Sequence, residues 1–137
     1  MSMTYPDFGY ATHGHVVYRC HYHVVWCTKY RRKLLDSDIS ARLRQIAFQV
    51  AGDLGFGIDE MEIMDDHVHL LLDVPPKIGI AKAVRMLKGR SSRILREEFP
   101  SLRSRVPTLW TRSYFCTTVG GAPLAVVKRY IENQKNV

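Results

Sequence analysis

Cysteine is scarce in this chain, and so is proline. Three cysteines, Cys20, Cys27 and Cys116, and six prolines are spread over 137 residues. An odd cysteine count argues against a disulfide framework. No two cysteines stand at the C-x-x-C spacing of a zinc knuckle, so all three are read as strand residues. Long apolar runs are missing as well. The stretch Val68–Leu72, interrupted by His69, is far short of the about 18 residues that mark a membrane span. Met1–Tyr10 lacks the basic start and apolar core of a signal peptide. The expected location is the cytoplasm, with no membrane partner. What remains is ordinary for a folded domain: 46% apolar and 24% charged residues. Those fractions exclude a disordered tail, a collagen-like chain and a low-complexity linker, and the length suffices for one core without staples.

Acidic residues are also outnumbered, 13 against 20 Lys and Arg, for a net charge of +7. The excess has a location. Between Lys77 and Arg112 stand ten basic residues and two acids, Glu97 and Glu98, a net of +8 that exceeds the total for the chain. A solvated helix face accounts for some of this. So one-sided a cluster points to an anionic partner, of which nucleic acid is the commonest.

Periodicity divides the chain into a loose arm over residues 1–14 and one domain over 15–137. His15–Tyr30, dense in Val, Tyr, Trp, Thr and Cys, reads as a strand. Ser37–Leu54 carries a helical stripe of Ile39, Leu43, Ile46, Ala47, Val50 and Leu54, with Ser37 as the expected N-cap and Gly55 as the stop. Gly57–Val74 reads as a hairpin turning at Asp65–Asp66 and ended by Pro75–Pro76. Ile78–Phe99 is a second helix, buried along Ile80, Val84, Leu87, Ser91, Ile94 and Leu95, with Gly89 inside it at a cost of about 1 kcal/mol relative to Ala. A loop with Pro100 and Pro107 follows, then a strand over Leu109–Val119 broken by Gly120–Gly121. Pro123 opens a last helix. The order βαββαβ, followed by α, predicts an α+β, ferredoxin-like split-βαβ fold: an antiparallel sheet with two helices on one face. Such a fold does not choose a function.

Two constellations could carry chemistry. His67 and His69 project from the same face of a strand, about 7 Å apart, where two imidazoles can share a metal ion. Asp66 can hydrogen-bond an imidazole and fix its tautomer. The same H-x-H spacing recurs at His21/His23 and His13/His15, so spacing alone does not rank the three pairs. On the last helix, Tyr130 and Gln134 lie four apart on one face. With a phosphate partner and a metal nearby, Tyr130 becomes a candidate nucleophile and Gln134 a neutral ligand; a tyrosine packed for its ring alone is the plainer alternative.

Five segments in order carry a resemblance: His23-Val24-Val25-Trp26-Cys27-Thr28-Lys29-Tyr30-Arg31, Asp66-His67-Val68-His69-Leu70-Leu71-Leu72, Leu87-Lys88-Gly89-Arg90-Ser91-Ser92, Leu109-Trp110 with Ser113-Tyr114-Phe115, and Tyr130-Ile131-Glu132-Asn133-Gln134. From about Tyr18 to Gln134 the chain resembles the HUH-type single-tyrosine transposases that move insertion sequences through single-stranded DNA. Asp65 departs from that pattern, which places proline there. The resemblance implies that His67, His69 and Gln134 bind a divalent metal, Mg²⁺ or Mn²⁺, although imidazoles alone would suggest zinc. It implies that Tyr130 attacks a scissile phosphate to form a 5′-phosphotyrosine. It implies recognition of hairpin ends, and a homodimer in which one subunit's tyrosine helix completes the other's histidine site. Arg85, Lys88, Arg90, Arg93 and Arg112 are then the residues expected on DNA. A non-catalytic nucleic-acid binder, a zinc-dependent hydrolase built on His67 and His69, and a replication-type nickase are the rival readings.

Overall fold

The structure is a computed structural model describing residues 4–5, 10–13, 16–118 and 124–137. Strands β1 (Thr4–Tyr5), β2 (Tyr10–His13) and β3 (Val16–Tyr18) form a small antiparallel sheet in that order. This corrects the expectation of a loose arm at those positions, since strands of two to four residues are too short to show alternation. It also splits the single strand expected over 15–30. The chain breaks at Arg19–Cys20 before β4 (His21–Cys27), and a 3-10 turn (Lys29–Arg31) follows. Cys20 thus precedes the strand rather than lying in it.

Helix α1 (Ser37–Leu54) has the expected span, and Gly55 ends it at φ 91° in the left-handed region. Its cap is Asp36 rather than Ser37: Asp36 Oδ1 accepts from the Ile39 amide at 2.9 Å. Strands β5 (Gly57–Ile63) and β6 (His67–Asp73) form the expected hairpin. Helix α2 (Ile80–Glu98) follows, and then α3 (Ser101–Arg105), a short helix where a loop was expected. Five residues give no periodic signal, and Pro100 sits where its missing N–H is not needed. Strand β7 (Phe115–Thr118) is shorter than the stretch 109–119 that alternates. Helix α4 (Leu124–Asn133) closes the described chain. Gly120–Gly121, Pro123 and His15 lie outside the described residues.

The main sheet runs β5-β6-β4-β7, every neighbour antiparallel. That is the ferredoxin-like order. One face carries Val24, Trp26, Val68, Leu70 and Leu72, each 0–1% exposed. Ile39, Leu43, Ile46 and Val50 of α1 and Val84, Leu87 and Leu95 of α2 cover it. Among the described residues no helix is long and apolar enough to cross a membrane.

The segment before β7 shows why strand pairing starts late. Trp110 is buried, its Nε1 donates to Ser91 Oγ at 3.0 Å, and it makes only an isolated bridge to Thr28. The Lys88 ammonium then takes the carbonyls of Thr111 (2.6 Å) and Ser113 (2.9 Å). Those backbone acceptors are diverted from a ladder to a side chain on α2.

Candidate active site

Strand β6 presents His67 and His69 on the face turned away from α1 and α2, because Val68, Leu70 and Leu72 alternate into the core. The β4–β6 register sets Cys27 opposite His67 and Val25 opposite His69. His23, two positions before Val25, therefore shares that face. Its Nδ1 lies 3.3 Å from His69 Nε2, with ring centroids 5.4 Å apart. All three imidazoles line one cavity of about 480 Å³, with Glu62 and Phe115; Val127, Lys128 and Ile131 of α4 form another wall. The sheet face opposite α1 and α2 is thus partly covered by α4. Burial holds His69 below the ordinary histidine pKa, and neighbouring His23 adds to this, while Glu62 and Glu60 oppose it.

Asp66 fixes His67. Its Oδ1 is 2.7 Å from His67 Nδ1, and its Oδ2 takes Arg31 Nε at 3.2 Å and the Arg31 terminal nitrogen at 3.1 Å. Burial alone would raise the Asp66 pKa, but the bonds from His67 and Arg31 outweigh it and hold the carboxyl below its usual value. An ionised carboxylate only accepts, so Nδ1 carries a proton, and in the singly protonated tautomer this selects, Nε2 keeps a free lone pair. Arg31 reaches Asp66 from a left-handed backbone: Tyr30 has φ 58° and Arg31 φ 51°. Such residues persist where surroundings over-determine them. Thr28 N donates to the Asp66 carbonyl and Leu35 N to that of Asp65, while Thr28 Oγ1 donates to the Arg32 carbonyl at 2.6 Å, clamping the turn from outside.

Tyr130 and Gln134 meet through a third residue. Ser113 Oγ donates to Gln134 Oε1 at 3.0 Å. A hydroxyl has one proton, so the Tyr130 phenol, 2.9 Å away, donates to Ser113. Burial raises the Tyr130 pKa; once the phenol ionises, the Ser113 hydroxyl turns from Gln134 to donate to the phenolate, and that bond opposes the rise. The helix end is anchored as well, because Tyr30 N donates to the Val137 carbonyl at 2.8 Å.

The sequence-derived residues therefore fall into three groups. His67, His69 and Asp66 assemble together. Tyr130 and Gln134 assemble together, but neither is among the described residues that line the histidine cavity. Of the basic set, Arg85, Lys88 and Arg112 line a separate cavity against Trp110, and Arg85, Arg90 and Arg93 line an adjoining groove. Lys88 is engaged with backbone carbonyls, and Arg90 is paired with Asp53 at 2.6 Å. His23 was missed. Its H-x-H spacing with His21 hid the useful signal, which is parity with Val25 and Cys27 on the open face of β4.

Free imidazole nitrogens suit a divalent metal. Among the described residues no three His, Cys, Asp or Glu side chains form a group that could hold an ion alone. His67 and His69 fit as part of a ligand set that an amide oxygen and substrate oxygens would complete.

The fold and the sequence both match those of transposases. The model of the IS200-like transposase family matches residues 16–134, and the chain belongs to that family. It is 38% identical over 120 residues to the ISDra2 transposase TnpA of Deinococcus radiodurans, covering 86% of each chain. It is 33% identical over 123 residues to the transposase for insertion sequence element IS200 of Salmonella typhimurium, covering 88% of this chain and 80% of the relative. A crystal structure described as a transposase from Deinococcus radiodurans superposes with TM-score 0.84 at 35% identity, over 92% of this chain and 98% of the other. A REP-associated tyrosine transposase bound to a REP hairpin shares the fold at TM-score 0.57 and 14% identity, over 89% of this chain and 68% of the other.

Proposed function

We propose that this transposase cleaves and rejoins single-stranded DNA at the hairpin ends of an insertion sequence, with Tyr130 as nucleophile. The supporting observation is that Ser113 ties Tyr130 of α4 to Gln134 just past its end, and α4 is the helix that also walls the cavity of His67 and His69. Tyr130 Oη forms a bond to phosphorus while the phosphorus–O3′ bond breaks. The phenol proton is given up to solvent and the departing 3′ oxygen takes one, leaving a 3′-hydroxyl and a 5′-phosphotyrosine. The covalent step retains the phosphodiester for rejoining. A bound Mg²⁺ or Mn²⁺ would supply charge compensation on a non-bridging phosphate oxygen. His67 and His69 would hold it, with Asp66 orienting His67. Arg85 and Arg93 of α2, together with Arg112 from the segment before β7, would meet the DNA backbone.

The homodimer belongs to the same proposal. In this chain the tyrosine hydroxyl faces Ser113 rather than the histidine cavity, which favours completion of each cavity by a partner subunit's helix. The cytoplasm, where element DNA resides, is the corresponding location.

The test is incubation with labelled single-stranded end DNA and Mg²⁺, followed by denaturing electrophoresis. A covalent adduct forms with the wild type and is absent with Tyr130→Phe; an adduct that survives in the variant sinks the assignment. Mixing Tyr130→Phe with His67→Ala restores the adduct if the site is shared between subunits, and leaves none if it is not.

A further inference from the structure

A second cavity, of about 360 Å³, lies between α2 and the segment 108–114, apart from the histidines. We propose that it receives one unpaired nucleotide of the DNA strand, the base inside and the phosphate at an arginine rim. The inference rests on the DNA reading above and adds a specific binding site to it.

Size is the first reason. The volume sits at the low end of small-molecule pockets, suited to a single nucleotide and far too small for a duplex. The lining is the second. Trp110 and Tyr114 supply rings, Val84 and Gly89 supply apolar surface, Arg85 and Arg112 supply positive charge, and none of the described lining residues is acidic. A flat ligand with one negative charge matches that combination, since base–aromatic stacking beside cationic side chains is the usual mode of single-strand binding. Lys88 builds the wall, its ammonium spent on the Thr111 and Ser113 carbonyls.

Two further features belong to the cavity. Gly89 stands in the interior of α2, where glycine is less favourable than alanine, and a Cβ there would meet nothing within 4 Å. The helix therefore leaves bare backbone and open space at this wall. Thr111 is 1% exposed, and its hydroxyl makes no hydrogen bond of ordinary geometry, although it lies close enough to influence the Tyr130 phenol. Thr111 and Ser113 also place the cavity beside the Tyr130 hydroxyl, so the captured nucleotide lies close to the residue that attacks the strand.

The experiment uses full-length protein with Gly89→Ala and Gly89→Leu, which fill the space by steps. Both residues favour a helix over glycine, so thermal melting is expected to be unchanged or raised. Fluorescence anisotropy at low salt compares labelled oligothymidylate with an abasic deoxyribose-phosphate chain of matched length. The wild type prefers oligothymidylate by at least about fivefold, the lower range for stacking one base. Gly89→Leu abolishes most of that preference while binding the abasic chain as the wild type does, and Gly89→Ala falls between. An unchanged preference in Gly89→Leu overturns the nucleotide site, as does an equal loss of affinity for both chains. Equal binding of both chains by the wild type also overturns it and leaves the DNA reading standing. Failure of the wild type to bind either chain overturns both.

Discussion

The imidazoles of His23 and His69 come from positions 46 apart in the chain and stand with Nδ1 and Nε2 3.3 Å apart on neighbouring strands. His69 is therefore within direct electrostatic reach of His23. His69 is held below the ordinary histidine pKa first by burial and then by His23.

His23→Ala is expected to raise the His69 pKa part of the way back, because burial, the larger cause, remains. NMR titration of the His69 Cε1 proton measures this. An unmoved or lowered value would show that His23 does not act on His69 electrostatically.

Ser113→Ala removes the bond that opposes the rise in the Tyr130 pKa. Tyrosinate formation at Tyr130 should then need a higher pH than in the wild type, read by near-UV difference titration against Tyr130→Phe. Loss of the two hydrogen bonds at Ser113 Oγ costs about 1–3 kcal/mol in a urea melt. A tyrosine titration that stays put would mean the contact with Ser113 is electrostatically idle.

Asp66→Asn breaks the link between Arg31 and His67, and about 1–3 kcal/mol of stability is expected to go with it near neutral pH. The folded-state pKa of Asp66 is depressed below its ordinary value of 3.8. Its contribution is therefore fully present above that value and is lost as pH falls through the lower folded value. Denaturant melts of wild type and variant should differ at pH 7 and converge in acid. A gap that persists at the lowest pH where the protein still folds contradicts this account.

Lys88 titrates the other way. Burial pushes its ammonium down from 10.5 to about 8, so the folded state sheds the proton before the unfolded chain does. Stability linked to Lys88 should rise with pH between about 8 and 10.5. Wild type should gain on Lys88→Met across that window in paired thermal melts, and a flat difference would show that the two carbonyl acceptors cancel the burial.

Elements with a long periodic stripe were legible from residues alone. Helix α1 and the β5–β6 hairpin stand where their patterns place them, because their own apolar faces decide their conformation. The 109–119 stretch alternates equally well, yet most of it is not strand. Lys88 and Ser91, some 20 residues earlier, claim its backbone carbonyls and its indole. Asp36 rather than Ser37 caps α1 because two adjacent cap-competent residues differ only in which one takes the extended conformation. Within the site, His67, His69 and Asp66 could be grouped because strand alternation is local. His23 joins them through the β4–β6 register, and Ser113 joins Tyr130 to Gln134 through tertiary packing. Neither relation is written in spacing.

The residues of β6 alternate between two surroundings: His67 and His69 open onto the cavity, and Val68, Leu70 and Leu72 furnish the core. A single inserted or deleted residue within that strand would exchange the two sets, driving imidazoles into the apolar layer and leucines into the cavity. Substitutions can accumulate here one at a time, but length cannot vary. The spacing of the histidine strand is thus a fixed ruler for any lineage that keeps the fold.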